Sequence, residues 1–188
     1  MIIWLASYPK SGNTLVRSML SAYLFTKDGN FNFEVLKNIK QFPDHALFKN
    51  LGINFNDENE VVKNYIKVQK EINKRDSNSI QFLKTHSAPN DINGYKFTDL
   101  NNTMGVIHIV RDPRKIISSY ANHASISKED ALKRLLEIRI IGGKNDPLNK
   151  TVIHVGSWLS NYNAWKEFKK IDKYLLVKYE DLISDPEK

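Results

Sequence analysis

Apolar residues along this chain follow two rhythms. Short apolar runs at residues 2–6, 80–83, 105–110 and 174–177 read as strands, and the first (Ile2, Ile3, Trp4, Leu5, Ala6) contains no polar side chain. Between them, apolar residues recur at helical spacing. Leu15, Val16, Met19, Leu20, Tyr23 and Leu24 predict a helix over about residues 13–25, ended by Lys27, Asp28, Gly29 and Asn30. Val61, Val62, Tyr65, Ile66, Gln69 and Ile72 predict a second helix. Asp112 reads as the N-cap of a third, with Pro113 at its first position. Ser127 and Asp130 resemble a capping box ahead of Ala131, Leu132, Leu135 and Leu136, with Gly142 and Gly143 closing that helix. Ser157 caps a further helix carrying Trp158, Leu159, Tyr162, Trp165 and Phe168, a series that reads as core packing. Residues 30–57 show no period and read as an irregular excursion suited to a substrate pocket. Residues 90–102 are turn-rich, and residues 181–188 trail into a turn.

Strands alternating with helices predict an α/β fold, a parallel β-sheet with helices on both faces. The length of 188 residues suits one domain, residues 1–188, with a full core. Lys and Arg number 28 against 21 Asp and Glu, a net charge of +7, which suits an anionic ligand, a nucleic acid or an acidic membrane surface. The lysines are spread along the chain and form no basic helix or aromatic–basic motif, so no nucleic acid is expected. The absence of cysteine excludes disulfides, thiolate catalysis and cysteine-based zinc sites. With no signal-like N-terminus and no apolar stretch long enough for a membrane span, a cytoplasmic location is expected.

The candidate chemistry lies where strands end. The run Tyr8, Pro9, Lys10, Ser11, Gly12, Asn13, Thr14 joins the first strand to the first helix. A strand, a tight turn and a helix start make a phosphate cradle. The first N–H groups of the helix lack intrahelical acceptors, and the helix dipole places partial positive charge there. Lys10 adds a point charge, Gly12 allows close backbone approach, and Ser11 and Thr14 add hydroxyls. This differs from the usual P-loop pattern, in which the lysine follows the last glycine. Lys84, Thr85 and His86 follow the second strand, and Arg111, Asp112 and Pro113 follow the third. In parallel sheets ligands gather at the carboxyl ends of the strands, so adjacency of these strands would bring the three segments together. His108 lies inside an apolar strand and reads as a hydrogen-bonded core residue, and His123 and His154 read as structural or exposed.

Together these segments resemble the sulfotransferases that use 3′-phosphoadenosine 5′-phosphosulfate (PAPS). Tyr8 to Thr14 is similar to the family's 5′-phosphosulfate loop, Y-P-K-S-G-T-T, and Lys84, Thr85 and His86 match its K-T-H segment. The run from Val110 to Tyr120 resembles the 3′-phosphate segment, and Gly156, Ser157, Trp158 and Tyr179, Glu180, Asp181 resemble the G-S-W and Y-E-D elements. The resemblance implies a P-loop NTPase-like three-layer sandwich. It implies His86 as general base with Lys10 and Lys84 as catalytic cations. PAPS would be held by Lys10, Ser11, Gly12, Asn13, Thr14, Arg111, Ser119 and Tyr179, with 3′,5′-ADP as product and no metal. The acceptor would be a small molecule or a glycan.

The sequence departs from the family pattern in several places. Leu15 stands where a tryptophan often stacks on adenine, Asn13 replaces the first threonine of the pair, and Ser87, Ala88 and Pro89 follow the K-T-H segment. The later Arg-Lys-Gly segment and Gly-x-x-Gly-x-Trp loop are absent, so the C-terminal part of the family domain is expected to be missing. Two other readings stay open: a nucleotide or small-molecule kinase with a degenerate P-loop, and a non-catalytic module that binds PAPS or its product.

Overall fold

The computed structural model describes residues 1–75, 79–143 and 151–185. Its organising element is β1 (Ile2–Ser7), the middle strand of a five-stranded sheet. Parallel neighbours β3 (Gln81–Thr85) and β4 (Thr103–Val110) flank it, with β2 (Lys40–Gln41) outside β3 and β7 (Tyr174–Lys178) outside β4. Every pairing in this sheet is parallel. A central parallel strand is covered on both faces, so its sequence reads as a continuous apolar run rather than an alternation.

Alternate residues of β1 feed two cores. Ile2, Trp4 and Ala6 join Leu83 and Val106 beneath a cluster of large side chains: Phe42, Phe48, Tyr65, Phe97 and Trp165. Trp4 lies 5.5 Å from Phe42 and 5.3 Å from Phe97 between ring centres. On the other face, Leu5 and Ile109 pack under Val16 of helix α1 (Asn13–Phe25) and Ile39. A third cluster joins Tyr8 to Ile116 and Tyr120 of α5 (Pro113–Ala124) and to Ala131 and Leu135 of α6 (Lys128–Leu136).

The N-caps expected at Asp112, Ser127 and Ser157 are all present, and at Ser127 only one arm of the expected box forms, the Asp130 carboxylate taking the Ser127 hydroxyl. Asp112 accepts the Arg114 N–H at 2.9 Å with Pro113 inside the first turn, and Ser127 accepts the Asp130 N–H at 3.0 Å. Helix α7 (Trp158–Lys166) begins with a reciprocal box, in which Ser157 and Ser160 each accept the other's backbone N–H. In the aromatic series, Trp165 is fully buried, whereas Trp158 and Tyr162 stack on each other half-buried, their planes 2° apart.

Four stretches differ from the sequence expectation. The supposedly irregular residues 30–57 contain a 3₁₀ helix (Phe33–Asn38), β2 and the short α2 (His45–Lys49). They supply Ile39, Phe42, Phe48, Ile53 and Phe55 to the core. Elements this short complete too few turns to leave a period. The helix expected from Val61 to Ile72 is two, α3 (Glu58–Lys63) and α4 (Tyr65–Arg75). At the break, Asn64 Nδ2 bonds the Glu60 carbonyl at 2.7 Å, competing locally with the helix ladder. Helix α6 stops at Leu136 rather than at Gly142 and Gly143. Glu137 is extended, and β-branched Ile140 and Ile141 form β5 (Ile140–Ile141), antiparallel to β6 (Ile153–His154). Finally, residues from 179 form helix α8 (Tyr179–Ser184), not a turn, with Leu182 packed against the Leu5 cluster; residues 186–188 lie outside the described residues. No helix among the described residues is long and apolar enough to cross a membrane.

Replacing Phe42 by Ala tests whether the aperiodic segment belongs to the core. A buried aromatic truncation costs about 3–5 kcal/mol, read by urea unfolding. A loss below about 1 kcal/mol would show that residues 30–57 are a detachable excursion.

Candidate active site

Strand order decides the site. With β1 between β3 and β4, the turns after all three strands meet at the carboxyl edge of the sheet. They line a cleft of about 580 Å³ that gathers Lys10, Gly12, Asn13, Thr14, Lys84, His86, Arg111, Ser119 and Tyr179. Pro9, Leu15, Tyr120, His123 and Ile141 complete the wall. No carboxylate is among these lining residues.

The loop after β1 is shaped by two left-handed residues, Lys10 (φ 68°) and Gly12 (φ 95°). At Gly12 the requirement is double, because a β-carbon would also fall 2.2 Å from Cδ2 of Tyr179. The first intrahelical bond of α1 runs from the Val16 N–H to the Gly12 carbonyl at 3.3 Å. The N–H groups of residues 13–15 therefore have no acceptor within the helix and open towards the cleft end of α1.

His86 is fixed by its neighbour across the β1–β3 boundary. Its Nδ1 lies 2.8 Å from the Ser7 carbonyl oxygen and 3.1 Å from Ser7 Oγ. A carbonyl can only accept, so Nδ1 carries the proton and Nε2 carries the lone pair. Burial, and then the nearby Lys84 charge, pull the His86 pKa down to about 3, so the ring is neutral at physiological pH. Lys84 donates to Gln41 Oε1 at 2.9 Å, and burial followed by repulsion from Arg17 lowers its pKa to about 8.

Arg111 lies over the Tyr179 ring, 4.4 Å from its centre, and donates from Nη1 to the Lys10 carbonyl at 3.2 Å. Its Nε is buried without a partner. Glu180, next to Tyr179, accepts the Asp112 N–H at 3.3 Å and so ties α8 to the start of α5. Ser119, two turns into α5, and His123, one turn further on the same flank, both line the cleft.

Two residues expected at the ligand also make contacts inside the protein. The Asn13 side-chain amide donates inward to the Leu5 carbonyl at 3.0 Å and to Ser7 Oγ at 3.1 Å, so it braces the residue that holds His86. Ser11 is 1% exposed and lines a small cavity behind the loop; its hydroxyl is buried without a hydrogen-bond partner, and its N–H bonds the Tyr8 carbonyl at 3.3 Å. His108 bonds the Tyr174 hydroxyl through Nδ1 at 2.8 Å inside the core. His154 Nε2 lies 3.2 Å from Glu58. Sequence reasoning missed the supports Ser7 and Gln41, which carry no local signal, and His123, whose spacing of four from Ser119 on a helix was readable. Among the described residues, no group of three or more His, Asp or Glu side chains is placed to share a metal ion.

Comparison with known proteins places this geometry. No curated protein sequence matches the chain. Among solved structures, mouse sulfotransferase SULT7A1 complexed with PAP matches 98% of this chain and 53% of its own, at 16% identity and a TM-score of 0.52. Retinol dehydratase in a complex with retinol and PAP matches 98% of this chain and 56% of its own, at 15% identity and a TM-score of 0.50. The chain thus spans about half the length of these structures, and the likeness shows the P-loop NTPase-like fold. The family model of the sulfotransferase domain matches residues 2–188, and the chain belongs to that family.

Proposed function

We propose that this chain binds PAPS in the cleft and transfers its sulfuryl group to a hydroxyl or amine of a small-molecule or glycan acceptor. The observation that carries this reading is the convergence of Lys10, Lys84 and Arg111, without a carboxylate in the lining, around a neutral His86 with a bare Nε2. The PAP in both solved neighbours supports the nucleotide assignment, and the retinol in one supports a small-molecule acceptor.

In this reading Lys10, Thr14 and the N–H groups at the start of α1 hold the 5′-phosphosulfate, on the same grounds that make helix N-termini anion sites. Arg111 and Ser119 hold the 3′-phosphate, with Arg111 braced by the Tyr179 ring and the Lys10 carbonyl. His86 Nε2 takes the acceptor proton as the acceptor oxygen or nitrogen bonds to sulfur. The bond from sulfur to the bridging phosphate oxygen breaks, and 3′,5′-ADP leaves with that electron pair. Lys10 and Lys84 stabilise the negative charge that grows on the bridging oxygen. The depressed His86 pKa keeps the imidazole in its basic form in the free chain, and the incoming anion raises its basicity and favours the imidazolium that follows.

Calorimetry decides between nucleotides: 3′,5′-ADP binds in preference to ATP with Mg²⁺, and the reverse preference would establish a kinase instead. Arg111→Ala weakens 3′,5′-ADP by about 10- to 100-fold while leaving 5′-AMP nearly unaffected, the signature of a charge-assisted contact to the 3′-phosphate. His86→Ala lowers PAPS-dependent turnover by about 10²–10⁴ with 3′,5′-ADP affinity retained, and unchanged turnover would remove His86 from the chemistry. The pH profile follows from the direction of each shift. In the free chain His86 stays neutral down to about pH 3 and Lys84 loses its proton as pH rises through about 8, so kcat/KM for PAPS shows no His86 acid limb between pH 5 and 7 and falls above about pH 8. Lys84→Arg keeps its charge and abolishes that alkaline fall; an alkaline limb surviving in this variant assigns it to another group.

A further inference from the structure

Behind the phosphate loop lies a cavity of about 10 Å³, the space of one water centre. Ser11 and His108, each 1% exposed, and Asn161, fully buried, contribute polar side chains to its wall, beside Tyr8 and Tyr162. Two of these groups are incomplete. Ser11 Oγ and Asn161 Oδ1 are buried with no hydrogen-bond partner.

The orientation of Asn161 follows from its other end. Its Nδ2 donates to the His86 carbonyl at 3.0 Å and to the Val155 carbonyl at 2.8 Å. Both amide hydrogens are thus committed, and Oδ1 is left as a pure acceptor facing an interior that must supply a donor. Ser11 lines the same cavity, and its Oγ makes no hydrogen bond to Asn161. Leaving both groups unsatisfied costs far more than ordering one solvent molecule between them.

We propose that a single buried water bridges Ser11 Oγ and Asn161 Oδ1, with His108 as a third polar contact in the wall. The water donates one hydrogen to Asn161 Oδ1 and accepts the Ser11 hydroxyl hydrogen. Because Asn161 also grips the His86 carbonyl, this water ties the loop that carries Lys10 to the segment that carries His86. Ser11 is then a structural member of the loop, not a contact of the ligand.

A crystal structure of the chain at a resolution that shows ordered solvent tests the bridge directly, independently of the sulfuryl-transfer reading. One water within hydrogen-bond reach of both atoms is expected. A dry cavity, or a Ser11 hydroxyl turned into the cleft, overturns the proposal. The second arm rests on the nucleotide reading and uses 3′,5′-ADP as probe. Ser11→Ala changes its affinity by less than about threefold, whereas Lys10→Ala weakens it by about tenfold or more. A loss in Ser11→Ala as large as that in Lys10→Ala places the hydroxyl on the ligand and overturns the proposal. Failure of the parent chain to bind 3′,5′-ADP rejects the nucleotide reading and leaves the crystallographic test to decide the bridge.

Discussion

The hydrogen bond from His86 Nδ1 to the Ser7 carbonyl is the contact on which the site depends. It is possible only because β3 lies directly beside β1, in a register that sets Thr85 against Ala6 and so delivers His86 to the end of the neighbouring strand. The bond selects one tautomer, aims the free nitrogen, and holds the ring among buried groups that keep it neutral. Asn13 braces Ser7 from the loop side, and Asn161 holds the His86 carbonyl from α7, so the ring is located by three separate elements.

Around this neutral base the cleft gathers cations without acids. Lys84 is pushed towards neutrality by burial and by Arg17, and Arg111 finds a backbone carbonyl and an aromatic face where a carboxylate would be usual. Such an arrangement is under electrostatic tension in the free chain, and an anion in the cleft relieves it. That tension is a physical reason for anion selectivity that does not rely on the net charge of the surface.

Much of this was legible from the residue order. The unbroken apolar run of β1, the caps at Asp112, Ser127 and Ser157, and the placement of Lys10, Lys84 and Arg111 at strand ends all follow from local rules. What escaped was decided by distant partners. The segment holding Phe42 and Phe48 has no period because its helix and strand are too short to complete one. Ser11 and Asn13 read as ligand contacts because their type suits phosphate. The tertiary fold also buries the Ser11 hydroxyl and commits the Asn13 side-chain amide to Leu5 and Ser7. No pattern of neighbouring residues encodes those directions.

The contact between Gly12 and the Tyr179 ring joins the two extremes of the described chain. The loop is synthesised well before its wall, because Tyr179 follows β7 in the chain and Gly12 precedes β3 and β4. During synthesis the strands β1, β3 and β4 can assemble while the loop is still open on that side. Anion capture therefore comes after the central strands in the nascent chain: a ribosome-bound intermediate can own β1, β3 and β4 and still have no closed cradle.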